Sequence, residues 1–128
     1  MKEKGFVIAG LISAALAVGL GAIGSHALDD LLIANDRMDT YGTAVDYHMF
    51  HSIGLLIIAS LIKVYTIPFL KTSGILMAAG IVFFSGSLYL LSVTNLTFWA
   101  YFTPLGGLMF IVAWLFPVFG IILKKQKD

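Results

Sequence analysis

Apolar residues run along this chain in four long blocks, and the residues between them are charged, polar or helix-breaking. Hydropathy over bilayer-length windows predicts helices at about 5–27, 42–65, 72–94 and 104–123. The third and fourth blocks are the clearest. Between Lys71 and Lys124 lie 52 consecutive residues without Asp, Glu, Lys or Arg. At about 1.5 Å per residue that run makes about 78 Å of helix, too long for one crossing of a hydrocarbon layer about 30 Å thick. It must be two spans and a turn.

The breaks have identifiable chemistry. Pro68 separates the second block from the third. Thr103 offers a cap and Pro104 stands at the first helical position of the fourth block, where its missing N–H costs nothing. Pro117 is expected to bend the inner end of that helix. Residues 29–41 form the one sizeable polar stretch, within which Leu31, Leu32 and Ile33 are candidates to dip into the membrane interface.

Composition sharpens this reading. The chain has 128 residues, is 59% hydrophobic and 12% charged, and has a mean hydropathy of +0.97. A soluble domain is about 45–50% apolar and about 25% charged, which excludes that class. With no cysteine, disulfides and thiolate metal sites are excluded, and a net charge of +1 leaves no footprint for nucleic acid. The apolar run from Gly5 to Leu28 exceeds the 7–15 residues of a signal-peptide core, so it reads as a retained first span. The expectation is an all-α, four-helix transmembrane bundle, a single integral membrane domain over residues 1–128.

Charge then orients it. Lys2, Lys4, Lys63, Lys71, Lys124, Lys125 and Lys127 fall at the two ends or between the second and third spans, and Arg37 alone lies on the other side. Cytoplasmic segments carry the excess of Lys and Arg, so both termini are expected in the cytoplasm. The second outer connection, TNLTFWAYF, is uncharged, and its Trp99 and Tyr101 suit an interfacial belt.

Small residues gather on helix faces. Gly10, Ser13, Ala14, Ala17, Gly21 and Gly24 share one stripe of the first span. Gly74, Ala78, Ser85, Tyr89 and Ser92 share one on the third; Gly106, Ala113, Pro117 and Gly120 share one on the fourth, beside Gly107. Such faces let backbones approach where lipid removes the hydrophobic incentive to associate. They predict packing within one bundle or, alternatively, contact between copies in a homo-oligomer.

The stretch VDYHMFHS at 45–52 holds the strongest candidate chemistry. From Ser52 to Ile62 there are only 11 residues, about 16 Å of helix, so a full crossing must begin near Thr43 or earlier. Asp46, His48 and His51 therefore lie inside the outer half of the membrane, where an ionisable group is expensive and a functional candidate. On a helical wheel His48 and His51 stand about 60° apart and Asp46 about 160° from His48. Tyr47 and His51 are an i, i+4 pair. With His26 at the outer end of the first span, they suggest an intramembrane polar cluster of His26, Tyr47, His51, Ser85 and Tyr89. On a straight wheel His26 points away from the small-residue face.

Three roles compete for that cluster: a hydrogen-bonded lock between helices, a proton- or ligand-responsive site, and metal or haem ligation. The last is thinly supplied, with three histidines and no aligned carboxylate. Catalytic motifs are missing, and GLGAIG at 19–24 matches a nucleotide-loop pattern by letter only, since no strand precedes it. No cofactor is expected, and no enzymatic role is assigned.

Four segments, GAIGSHAL (21–28), YHMFHSIGLL (47–56), FSGSLYLL (84–91) and TPLGG (103–107), together resemble the YwdK/YgdD type of small bacterial membrane protein, an uncharacterised family with a domain of unknown function. The resemblance covers nearly the whole chain and implies a multi-pass protein of the bacterial cytoplasmic membrane, with no reaction attached. It falls on Gly21, Gly24, His26, Tyr47, His51, Ser85, Gly86, Ser87, Tyr89, Thr103, Pro104, Gly106 and Gly107. His48 departs from relatives with glutamine there, which weakens a His48–His51 metal pair. The function expected is that of a structural or interaction protein of the envelope with membrane lipids as its surroundings. The alternative is a small transporter or channel with a histidine-containing route, and metal or haem binding ranks third.

Overall fold

The computed structural model describes residues 2–124. Helix α1 covers Glu3–Ser25, α2 Asp29–Ala34, α3 Met38–Val64, α4 Leu70–Gly80, α5 Ser87–Thr94 and α6 Thr103–Leu123. A π-helical segment, Ile81–Gly86, joins α4 to α5, and a 3₁₀ turn, Thr97–Tyr101, precedes α6. Four helices are long and apolar enough to cross a membrane: Glu3–Ser25, Met38–Val64, Leu70–Thr94 and Thr97–Leu123. The four expected spans are therefore present. Large apolar side chains face outward along them, Ile8, Leu11, Ile12 and Leu16 of α1 each more than half exposed, as lipid-facing residues must be.

Helix α3 is the axis of the bundle, packing against α1, α4, the π segment and α5, while α6 packs against α4 and the π segment. At 27 residues it measures about 40 Å, so it is longer than the hydrocarbon layer. It begins at Met38, not near residue 42, because the polar stretch before it is itself ordered. In that stretch α2 pins Leu32 into the interior at 1% exposure, with Leu31 and Ile33 outside. Asp36 turns the chain with a left-handed φ of 54°. Asn35 Nδ2 donates to the carbonyls of Ser92 at 2.9 Å and Val93 at 3.3 Å, which the end of α5 leaves without helical partners. Arg37 Nε donates to Asn95 Oδ1 at 3.1 Å. The loop between the first two spans is thus a strap over the end of the third span.

The expected small-residue faces pack inside the chain. A Cβ on Gly10 would lie 2.7 Å from Leu56 Cδ2, and one on Gly24 would overlap the Tyr41 ring. Ala17 is fully buried, Ala14 half-buried, and Gly21 faces Val45. Gly106 lies so close to the Phe84 backbone that a Cβ would collide with it, whereas Gly107 has ordinary room, 3.7 Å from the Phe84 ring. An apolar core of Phe6, Leu55, Ile58, Ala59, Leu70, Met77 and Ala113 fills the half of the bundle that holds the start of α1 and the end of α3, and a smaller cluster of Ala44, Leu88 and Leu91 lies toward the opposite end.

Two local devices repair the backbone. Helix α6 runs through Pro117 to Leu123. Proline has no N–H for the carbonyl four residues back, here that of Ala113. Ser73 Oγ of α4 donates to that carbonyl at 2.5 Å, and both residues are fully buried. The π segment likewise loosens the helical ladder, and Ser87 Oγ donates to the Phe84 carbonyl at 2.8 Å while meeting Thr103 Oγ1 at 2.6 Å.

Candidate functional site

The two histidines of α3 are both buried, His48 at 5% and His51 at 4% exposure, but they serve different neighbours. His48 Nδ1 lies 3.1 Å from Tyr89 Oη of α5, and Nε2 lies 3.0 Å from Ser13 Oγ of α1. Ser13 Oγ is 2.6 Å from Ser52 Oγ, which donates to the His48 carbonyl at 2.7 Å.

The proton positions in this chain follow by elimination. A hydroxyl has one hydrogen to give. Ser52 spends its hydrogen on the carbonyl, so Ser13 must donate to Ser52. Ser13 is then an acceptor toward His48, whose Nε2–H donates. A neutral imidazole carries one N–H, so Nδ1 accepts from the Tyr89 hydroxyl. Every group from Tyr89 through His48 and Ser13 to Ser52 is satisfied with His48 neutral. Tyr89 in turn packs edge-on against Tyr41, 5.1 Å between centroids, and Tyr41 Oη donates to the Leu20 carbonyl of α1 at 2.5 Å.

His51 faces the other way. Its Nδ1–H donates to the Tyr47 carbonyl at 2.7 Å, and its ring stacks on Phe110 of α6 at 3.4 Å and 9°. Tyr47 stacks beside it at 5.8 Å and meets Phe84 at 4.5 Å. These side chains line a groove of about 590 Å³ between α3 and α6. Helix α3 contributes Asp46, Tyr47, Phe50 and His51 to its wall, the π segment Phe84, and α6 Gly107, Phe110, Ile111 and Trp114. A second groove of about 410 Å³, between α1 and the third span, has Ser13, His48 and Tyr89 in its lining.

Of the five residues grouped from sequence, the structure brings Tyr47 and His51 together and sends Tyr89 to His48. His26 is exposed at the end of α1, where its main-chain N–H donates to the Ile23 carbonyl. Ser85 is fully buried in the π segment with no partner for its hydroxyl. The wheel placed His48 and His51 on one face, and a 60° separation proved wide enough to give them different helices. Ser13 and Ser52 are the residues that sequence reasoning left out of the site. The signal was present, since Ser52 is i+4 from His48 and Ser13 is the hydroxyl in the stripe of α1. Among the described residues no three His, Cys, Asp or Glu side chains come within reach of one metal ion.

A four-span integral membrane protein, its interior crossed by a satisfied hydrogen-bond chain and its flank opened by an aromatic groove, is the class these features define. The family model "Protein of unknown function (DUF423)" matches residues 20–107, and the chain belongs to that family. It is 48% identical over 116 residues to the UPF0382 membrane protein YwdK of Bacillus subtilis, covering 90% of this chain and 94% of the relative. A UPF0382 membrane protein of Staphylococcus epidermidis is 44% identical over 112 residues, covering 88% and 90%. The UPF0382 inner membrane protein YgdD of Escherichia coli is 34% identical over 127 residues, covering 99% and 96%. No solved structure matches the chain.

Proposed function

We propose that this protein is a non-catalytic component of the bacterial cytoplasmic membrane, with both termini inside, acting as a structural or interaction protein. One observation carries the reading. The hydrogen-bond chain through His48 ties α1, α3 and α5 together and closes on the His48 carbonyl itself. Both ring nitrogens are engaged, so the imidazole is a lock, with no lone pair left for a metal. A proton route would need the chain to continue across the bilayer, and this one turns back on its own helix. The small-residue face of α1 is covered by α3, so any pairing of copies has to use other surfaces. The seven-to-one division of cations supports the orientation, and the inner-membrane name of the Escherichia coli relative supports the compartment.

The chain has no cysteine, so single introduced thiols report topology without background. In spheroplasts, Asp30→Cys should react with an impermeant maleimide and Lys71→Cys only after lysis; labelling of Lys71→Cys in intact spheroplasts would reverse the orientation. The structural role predicts that His51→Gln purifies folded and that wild-type protein carries no stoichiometric metal or haem. Bound metal, or liposome flux of protons or solute abolished by His51→Ala, would overturn it.

A further inference from the structure

The groove between α3 and α6 holds a charge that the bundle does not neutralise. Asp46 is exposed at its outer end. It lies 17 residues before Lys63 in the same helix, about 26 Å away along the axis, so it sits within the outer edge of the hydrocarbon layer. A carboxylate at that level is costly unless it meets a partner. Among the described residues no Lys or Arg forms an ion pair with Asp46. There is no Lys or Arg in the chain between Arg37 and Lys63 or between Lys71 and Lys124, and Arg37 is engaged with Asn95.

Apart from Gly107 and Ile111, the rest of the wall is aromatic. Tyr47 and Phe84 meet at 4.5 Å beside Asp46, and Phe50 and Trp114 meet at 5.7 Å one turn deeper. Aromatic faces attract cations through the ring quadrupole, most strongly away from water, and prefer organic ammonium groups. Phe50 is 60% exposed, so the groove is open sideways to lipid. Its volume of about 590 Å³ is that of a small-molecule site.

We propose that this groove is a binding site for a lipophilic ammonium monocation that enters from the bilayer. Its charge rests between the Asp46 carboxylate and the Tyr47 and Phe84 rings, and its apolar part lies along Phe50 toward Trp114. The occupant is a simple cation and not a phospholipid, because a phosphate beside the ammonium would find no basic side chain on this wall. The inference does not depend on the structural role proposed above; it requires only the four spans.

Trp99 and Trp114 are the two tryptophans, so a Trp99→Phe background leaves a reporter inside the groove. Full-length protein in phosphatidylcholine nanodiscs is titrated with an alkyl trimethylammonium brominated on its chain, and quenching of Trp114 is recorded. Saturable quenching is expected. Asp46→Asn should weaken it by about tenfold or more, while Asp39→Asn, an acid at the start of α3, should leave it unchanged. Gly107→Leu, which adds bulk to the groove wall on α6 and keeps Asp46 in place, should abolish it, and an unchanged Trp114 emission spectrum without ligand shows that each variant is folded. Equal binding by Asp46→Asn, or by an alkyl sulfate of the same brominated chain, overturns the proposal. Stronger quenching by a brominated phosphatidylethanolamine than by the trimethylammonium overturns the choice of occupant.

Discussion

Ser73 and Pro117 lie on different helices, 44 positions apart in sequence, yet the structure makes the serine a substitute for the hydrogen that the proline lacks. Removing the Ser73 hydroxyl leaves the buried Ala113 carbonyl with no donor, at a cost of about 1–3 kcal/mol for an unsatisfied buried group. Interhelical hydrogen bonds in membranes average about 0.6 kcal/mol and reach about 1.7 kcal/mol. The higher end applies to this pair because neither residue is exposed and no second donor is at hand. Ser73→Ala should therefore cost about 1–2 kcal/mol in otherwise unaltered protein. In a Pro117→Ala background the helix supplies its own N–H to Ala113, and the same substitution should cost close to nothing. Unfolding of the four proteins of this double-mutant cycle in mixed micelles of increasing denaturing detergent gives the coupling, expected at about 1 kcal/mol or more. An equal cost of Ser73→Ala in both backgrounds would refute the reasoning, since the hydroxyl would then not be repairing the proline.

The same unfolding assay checks the other stability predictions. Gly106→Ala forces α6 away from the Phe84 backbone and should cost about 1–3 kcal/mol as overpacking, whereas Gly107→Ala, with ordinary room, should be neutral or slightly stabilising through helix propensity; matched effects would contradict the close approach. His48→Gln keeps a donor and an acceptor and should lie within about 0.5 kcal/mol of wild type, while His48→Ala loses two interhelical hydrogen bonds and should cost about 1–2 kcal/mol or more. A tolerant His48→Ala would mean that the chain from Tyr89 to Ser52 holds nothing together.

The sequence by itself determined the class of this protein: four apolar blocks, each of bilayer length, can only be membrane helices, because lipid offers no partner for an open backbone. It also put the ionisable pair of α3 inside the second apolar block, and both side chains are buried in the structure. The strap between the first two spans, with Asn35 on the end of α5, was invisible because its partner carbonyls are main-chain atoms of a distant segment. So was the π segment, whose Phe84 backbone packs against Gly106 of α6 and which has no local signature in the sequence. Which histidine locks the bundle and which lines a groove was decided by tertiary structure alone. Helical periodicity orders side chains around one axis, but it does not state which neighbour stands at each angle. Ser13 and Tyr89 come to His48, and Phe110 to His51, through the packing of separate helices around α3, and hydrogen bonds a few ångströms long select between faces that a wheel treats as one.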